Sequence, residues 1–126
     1  MQDLMQRLVG ICRREDEMER ALQGLQELKR RAARVGVVGN REYNGGWHTA
    51  LDLQHLLAVS EMITRAAIER KESRGAHFRD DYPAKNEAEG RCNIIVRRNG
   101  SGEIEVKREP LASLPPELAA VIEEMK

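Results

Sequence analysis

Between residues 3 and 35 apolar side chains recur every three or four positions, first Leu4 and Leu8, then Met18, Leu22, Leu25, Leu28, Ala32 and Val35. That period predicts an amphipathic helical stretch, with a break near Gly10. Arg14, Glu15, Glu19, Glu27, Lys29 and Arg30 fill the intervening positions and read as its wet face, with several i to i+4 ion pairs. Gly36, Gly39, Asn40, Asn44, Gly45 and Gly46 follow, a cluster that favours turns and predicts the link between two antiparallel helices. A broader apolar face then runs through Trp47, Leu51, Leu53, Leu56, Leu57, Met62, Ile63, Ala66 and Ala67, predicting a second long helix. The small residues Ala58, Ser60, Ala66 and Ala67 would let a neighbouring helix approach closely. Trp47, at the start of this helix, is expected to anchor the core.

Helical periodicity stops at 72–83, where Gly75 suits a helix end and Pro83 cannot continue one. From there to Gly90 the chain reads as an irregular loop. Residues 93–98 and 103–108 read as two strands joined by Asn99, Gly100, Ser101 and Gly102, a hairpin. Pro115, Pro116 and Glu117 open a terminal helix with Leu118, Val121, Ile122 and Met125 on one side. The expected fold is mainly α, an antiparallel three-helix, spectrin-repeat-like bundle followed by a small β-hairpin and a short C-terminal helix. The bundle takes 1–90, including the polar loop at 72–83, and the hairpin and helix at 91–126 form an appendage.

A chain of 126 residues has room for one modest core. The 21 Lys plus Arg balance the 21 Asp plus Glu without a long block of either sign, which argues against a nucleic-acid partner. The apolar runs are too short to cross a bilayer, and Asp3, Arg7, Arg13 and Arg14 interrupt any secretory signal, so a cytoplasmic location is expected. Cys12 and Cys92 belong to no ligand pattern and read as reduced thiols. His48 and His55, with Asp52, share a helical side, but two turns is too far to chelate one ion, and no metal site is expected.

The most informative segment is the loop after the second long helix. Arg74, His77, Arg79, Asp80 and Asp81 crowd into eight positions with two aromatics and a glycine. Each guanidinium can fork onto a carboxylate or onto backbone carbonyls, and a neutral imidazole can donate and accept at once. Such groups either form a binding surface or cap the helix and pin the loop.

The run from Ala50 to Leu57, Ala-Leu-Asp-Leu-Gln-His-Leu-Leu, and the run from Arg70 to Pro83, Arg-Lys-Glu-Ser-Arg-Gly-Ala-His-Phe-Arg-Asp-Asp-Tyr-Pro, resemble the C-terminal helical domain of succinate dehydrogenase and fumarate reductase flavoprotein subunits. The second run is nearly a complete match to that family's signature. The segment from Leu4 to Ile11 and the helix after it resemble the start of the same domain, so the likeness covers about two-thirds of the chain. L-aspartate oxidase is similar in the loop but usually departs from the Ala-His-Phe-Arg pattern, which makes its C-terminal domain the alternative. A stand-alone helical protein-interaction module is the reading from a different class.

The resemblance implies that an FAD-binding domain and a capping domain precede this one in the same polypeptide. It places the residues of hydride transfer, proton delivery, dicarboxylate binding and flavin linkage upstream, and none maps onto this chain. No catalytic, cofactor-binding or metal residue is therefore expected here, and FAD belongs to the parent protein. An iron-sulfur subunit and a position at the cytoplasmic face of the membrane, through a complex, are further implications. Arg74, His77, Arg79, Asp81 and Tyr82 are the expected interface with the flavin domain, as an exposed and partly unsatisfied patch. Removal of that domain also predicts self-association of the isolated chain through uncovered apolar surface.

Overall fold

The computed structural model describes residues 1–125. Helix α1 spans Gln2–Leu8, α2 spans Glu15–Ala32 and α3 spans Gly45–Glu69. Strand β1 (Cys12–Arg13) lies between the first two helices, and β2 (Phe78–Arg79) follows α3. A 3-10 turn at Glu89–Arg91 leads into β3 (Cys92–Arg98), β4 (Ile104–Pro110) and helix α4 (Pro116–Glu124). The mainly α bundle with a hairpin and a terminal helix is thus present, and its third helix, α1, is short.

The break expected near Gly10 is a strand. Cys12 and Arg13 pair in parallel with Phe78 and Arg79, so part of the segment read as irregular loop is a β-bridge to the start of the bundle. Parallel pairing of so short a stretch has no periodic signature, because only two residues of each strand take part.

Helix α2 buries Met18, Ala21, Leu25 and Ala32, a stripe at steps of three, four and seven. Acidic Glu15, Asp16 and Glu17 in its first turn and basic Lys29, Arg30 and Arg31 in its last suit the helix dipole. Asn44 caps α3, its side-chain oxygen accepting from the Gly46 N–H at 3.0 Å while its amide donates to the Val38 and Asn40 carbonyls. The core has two parts. Val9, Met18, Ala21 and Ala67 form one, and Leu25, Ala32 and Leu57 the other, with Leu4 and Met5 of α1 packed against both. Trp47 belongs to neither. It is half-buried at the mouth of α3, beneath the Arg41 guanidinium at 5.1 Å, so the expected core anchor sits at the bundle's edge.

The middle of α3 buries polar groups. Thr64 donates to the Ser60 carbonyl, and Glu61 is gripped by Lys29 of α2 and by Arg65 one turn on. Antiparallel β3 and β4 pair from Cys92 with Pro110 to Arg98 with Ile104. The hairpin is fastened to α3 by Arg108, which donates to the Glu69 carboxylate at 2.7 Å and the Glu89 carboxylate at 2.5 Å. Leu118, Val121 and Ile122 of α4 and Met125 just after it are all exposed. Among the described residues no helix is long and apolar enough to cross a membrane.

Candidate docking site at the arginine-rich loop

An α-helix ends with four carbonyls that lack intrahelical partners, and α3 has no basic residue in its last turn to meet them. Arginines from elsewhere in the chain take that role. Arg79 is wholly buried and donates through Nη1 to the carbonyls of Ala67 at 3.0 Å and Ile68 at 3.2 Å. Arg108 donates to the Glu69 carbonyl at 2.7 Å. The Arg70 backbone N–H closes the set onto Ala66.

The rest of the Arg79 fork meets two carboxylates. Its Nε and Nη2 donate to Asp81 at 2.6 Å each, and Nη2 also reaches Glu15 at 2.9 Å, at the start of α2. Asp81 in turn accepts from the Glu15 backbone N–H at 3.1 Å. Bidentate pairing holds the Asp81 carboxyl down at about 2, and the same pairing raises Arg79. Tyr82 lays its ring 4.9 Å from the Arg79 guanidinium and 5.8 Å from the Lys71 ammonium.

Another carboxylate, this one buried, organises the other side of the loop. Glu72, wholly buried, accepts from Arg70 at 2.7 Å, from Arg74 at 3.0 Å and from the Asn86 backbone N–H at 2.9 Å. Its carboxyl is held at about 2, with the Arg74 bond as the largest cause. Gly90 leaves the space that the Arg74 guanidinium occupies. Ser73 locks the turn, its hydroxyl accepting from the Arg79 N–H at 2.8 Å and lying 2.9 Å from the Tyr82 carbonyl.

His77 accepts at Nδ1 from Arg13 at 2.6 Å and donates from Nε2 to the Arg70 carbonyl at 3.2 Å, which assigns it the neutral tautomer. Burial is the largest cause of its lowered pKa, and the charges of Arg13, Arg79 and Arg70 add to it against the carbonyl bond. Arg13 also donates to the Gly10 carbonyl at 2.6 Å, tying the β1 segment to the loop.

The five residues expected at an interface therefore cluster, but not as an unsatisfied patch. The fork of Arg79 and the carboxylate of Asp81 are spent on the end of α3 and the start of α2, Arg74 on Glu72, and His77 on Arg13 and Arg70. What the loop turns outward is mostly its rim: Ala76, Phe78, Asp80 and the outer part of Arg74. Beside that rim runs an apolar strip of Ile11 on the β1 approach and Leu56, Val59 and Ile63 on α3, each about half exposed or more. A groove of about 530 Å³ between α1 and α3 is floored by Met5 and Val9 and edged by Arg13, Leu56, Val59 and Ile63. Arg13, Glu15, Arg70, Glu72 and Arg108 carry much of the network and were not singled out by the sequence. Glu15 and Arg79 are far apart along the chain, so no local pattern pairs them.

The profile of the family described as fumarate reductase flavoprotein C-term matches residues 1–119. The chain belongs to that family. It is 32% identical over 112 residues to the fumarate reductase flavoprotein subunit of Haemophilus influenzae, covering 88% of this chain and 19% of the relative. It is 33% identical over 117 residues to the L-aspartate oxidase of Acinetobacter baylyi, covering 90% and 19%. Sdh1 of Mycobacterium smegmatis, solved in complex with UQ1, superposes with a TM-score of 0.88 at 40% identity, over 97% of this chain and 21% of Sdh1. The chain thus spans about a fifth of the length of these relatives. Within this flavoprotein C-terminal family fold, the arginine-rich loop stands where α2, α3 and the hairpin meet.

The described residues include no group of three or more His, Cys, Asp or Glu placed to hold a metal ion. His48 and His55 are both exposed, and Cys12 and Cys92 are free thiols.

Proposed function

We propose that this chain is the C-terminal helical domain of an FAD-dependent succinate dehydrogenase or fumarate reductase flavoprotein, where it braces the flavin domain and carries no catalytic group. The observation that supports this reading best is the arginine-rich loop. It spends two wholly buried charged residues, Arg79 and Glu72, on fixing the shape of one exposed rim beside an apolar strip. Burying charge is costly unless every partner is in place, so such a loop is stiff. A stiff rim of mixed polar and apolar groups suits docking against another body at little cost in ordering.

In this reading Arg74, His77, Arg79, Asp81 and Tyr82 stand behind the contact with the flavin domain: Arg79 is wholly buried and the others are engaged within the loop, so they set its conformation, while Asp80 and the outer part of Arg74 supply the polar rim. Phe78, Ile11, Leu56, Val59 and Ile63 supply the apolar part of the contact. The residues of this chain do not fit FAD by themselves. A dinucleotide needs a glycine-rich turn between a parallel strand and a helix N-terminus. Among the described residues the parallel pairing is two residues long, and β1 leads into α2 through Arg13 and Arg14. The flavin and the residues that exchange hydride with a dicarboxylate are assigned to the preceding part of the polypeptide. An iron-sulfur subunit and a place on the cytoplasmic face of the membrane follow from the same assignment.

The match to an L-aspartate oxidase over 90% of the chain favours a second reading, in which the parent oxidises L-aspartate. Purified full-length polypeptide separates the two. A flavin absorbance spectrum with dye-linked succinate oxidation or fumarate reduction supports the first. Flavin with L-aspartate-dependent peroxide formation supports the second, and a polypeptide without flavin contradicts both.

A further inference from the structure

The register of the hairpin puts Ile94, Val96 and Arg98 of β3 on one face, with Arg108, Val106 and Ile104 of β4 opposite them. Arg108 donates to the Glu69 carboxylate, so this is the face turned towards α3. At the base of the hairpin the facing charges are therefore opposite. One turn back along α3 from Glu69 stands Arg65, and at the tip the facing charges are alike. A cleft of about 470 Å³ opens there, lined by Lys29 of α2, Glu61, Met62 and Arg65 of α3, and Arg98 and Glu103 at the hairpin tip. Glu61 is buried and accepts from Lys29 and, at 2.7 Å, from Nε of Arg65, so two cations share one carboxylate and the bundle side stays positive. Among the described residues no carboxylate pairs with Arg98, whereas its neighbour Arg97, on the outer face, pairs with Glu105 at 2.9 Å. Glu103 accepts from the Ser101 hydroxyl at 3.3 Å instead.

We propose that this cleft binds a phosphate group, clamped between the bundle and the hairpin tip. Like charges held across a cleft repel, and an anion between them removes the repulsion. Lys29, Arg65 and Arg98 come from three different elements, α2, α3 and β3. Donors arriving from three directions suit the oxygens of a tetrahedral phosphate, whereas a planar carboxylate is satisfied by a single guanidinium fork. Glu61 holds Lys29 and Arg65 in position while cancelling only one of their charges. The cleft has more room than a bare phosphate ion needs. Ala58, Met62 and Ile104 give it an apolar flank, and the Glu103 carboxylate can accept from a hydroxyl, so a phosphate monoester of a small hydroxylated molecule fills more of it. None of these groups belongs to the arginine-rich loop, so the site stands or falls apart from the docking reading.

The test is calorimetric titration of the 126-residue chain with inorganic phosphate and with glycerol 3-phosphate at fixed ionic strength, alongside hydrogen exchange of the hairpin. The expected result is saturable one-to-one binding, weakened about tenfold or more by Arg98→Gln and by Arg65→Gln. Arg97→Gln removes the same charge from the outer face of the same strand and should leave binding unchanged. Arg98 has no ion pair to lose, so its variant should melt at the temperature of the unsubstituted chain, which separates lost binding from misfolding. Bound phosphate should also slow exchange at residues 97–104, because it ties the tip to the bundle. Tighter binding of glycerol 3-phosphate assigns the site to an organic phosphate and equal binding assigns it to the free ion, and either result carries the proposal. Absence of saturable binding overturns it. So does equal weakening by Arg97→Gln, the mark of a diffuse charge effect. Succinate bound as tightly as phosphate overturns the choice of a tetrahedral group. Binding that appears only in Glu103→Gln overturns the proposal too, because the chain's own carboxylate then fills the cleft.

Discussion

Replacing Arg79 by methionine keeps most of the stem's volume and removes the fork, so it isolates the polar network from packing. Two bonds to Asp81 at 2.6 Å, one to Glu15 at 2.9 Å and those to the Ala67 and Ile68 carbonyls are lost together. Asp81 is left with the Glu15 N–H, and two carbonyls in the last turn of α3 lose their partner. Asp81 and Glu15 keep 30% and 38% of their side chains in solvent, so removing the wholly buried Arg79 should cost about 3 kcal/mol, the low end for a broken buried pair. A domain of this size is stable by about 5–15 kcal/mol. The midpoint of thermal unfolding should fall by roughly 10–20 °C. Urea unfolding followed by far-UV circular dichroism measures the loss directly. Adding Asp81→Asn to Arg79→Met should cost less than the sum of the single variants, since the orphaned charge goes with it. A loss below about 1 kcal/mol for Arg79→Met, or strict additivity in the double variant, would refute the claim that this buried fork holds the loop.

Three further outcomes follow from the same contacts. Asp81 and Glu72 both have folded-state pKa values lowered to about 2, so their contribution is present above the unfolded carboxylate range and lost as pH falls from about 4 towards 2. His77 is lowered as well, so its protonation opposes folding and stability begins to decline below roughly pH 6.5. Unfolding midpoints across pH should show both limbs, and His77→Gln should flatten the upper one. Asn44→Ala removes the α3 cap and should cost about 1–2 kcal/mol by urea titration, with no change in the slope. Arg108→Ala unfastens the hairpin from Glu69 and Glu89. Hydrogen exchange should speed up across β3 and β4 and stay unchanged at the centre of α2.

The helices were legible because their apolar positions repeat at a period the chain itself displays, as Met18, Leu25 and Ala32 do on α2, although Ala21 rather than Leu22 is the buried residue between the first two. The hairpin was legible from Asn99 and Gly100 between β-branched runs. The loop's own arginines and aspartates stood out by density, but their role did not, since it depends on which distant groups they meet. Glu15 looked like one more wet-face acid until α2 brought it to Arg79, and Glu72, wholly buried, lies just outside the polar cluster that stood out between Arg74 and Asp81. The pairing of Cys12 and Arg13 with Phe78 and Arg79 joins segments too short to carry any period. Trp47 was misread because burial of a tryptophan depends on a neighbour, and the groove beside it has none in this chain.

The central claim is that the rim of the arginine-rich loop and the apolar strip beside it dock this domain onto a flavin-bearing body. The most direct measurement is the flavin content and succinate- or fumarate-linked activity of full-length protein carrying Ile63→Asp and Phe78→Asp together. Both side chains are about half exposed in the isolated domain, so its own melting temperature should move little. The account predicts loss of bound flavin and of activity, with the isolated domain unchanged. Full flavin occupancy and activity in that variant would contradict it.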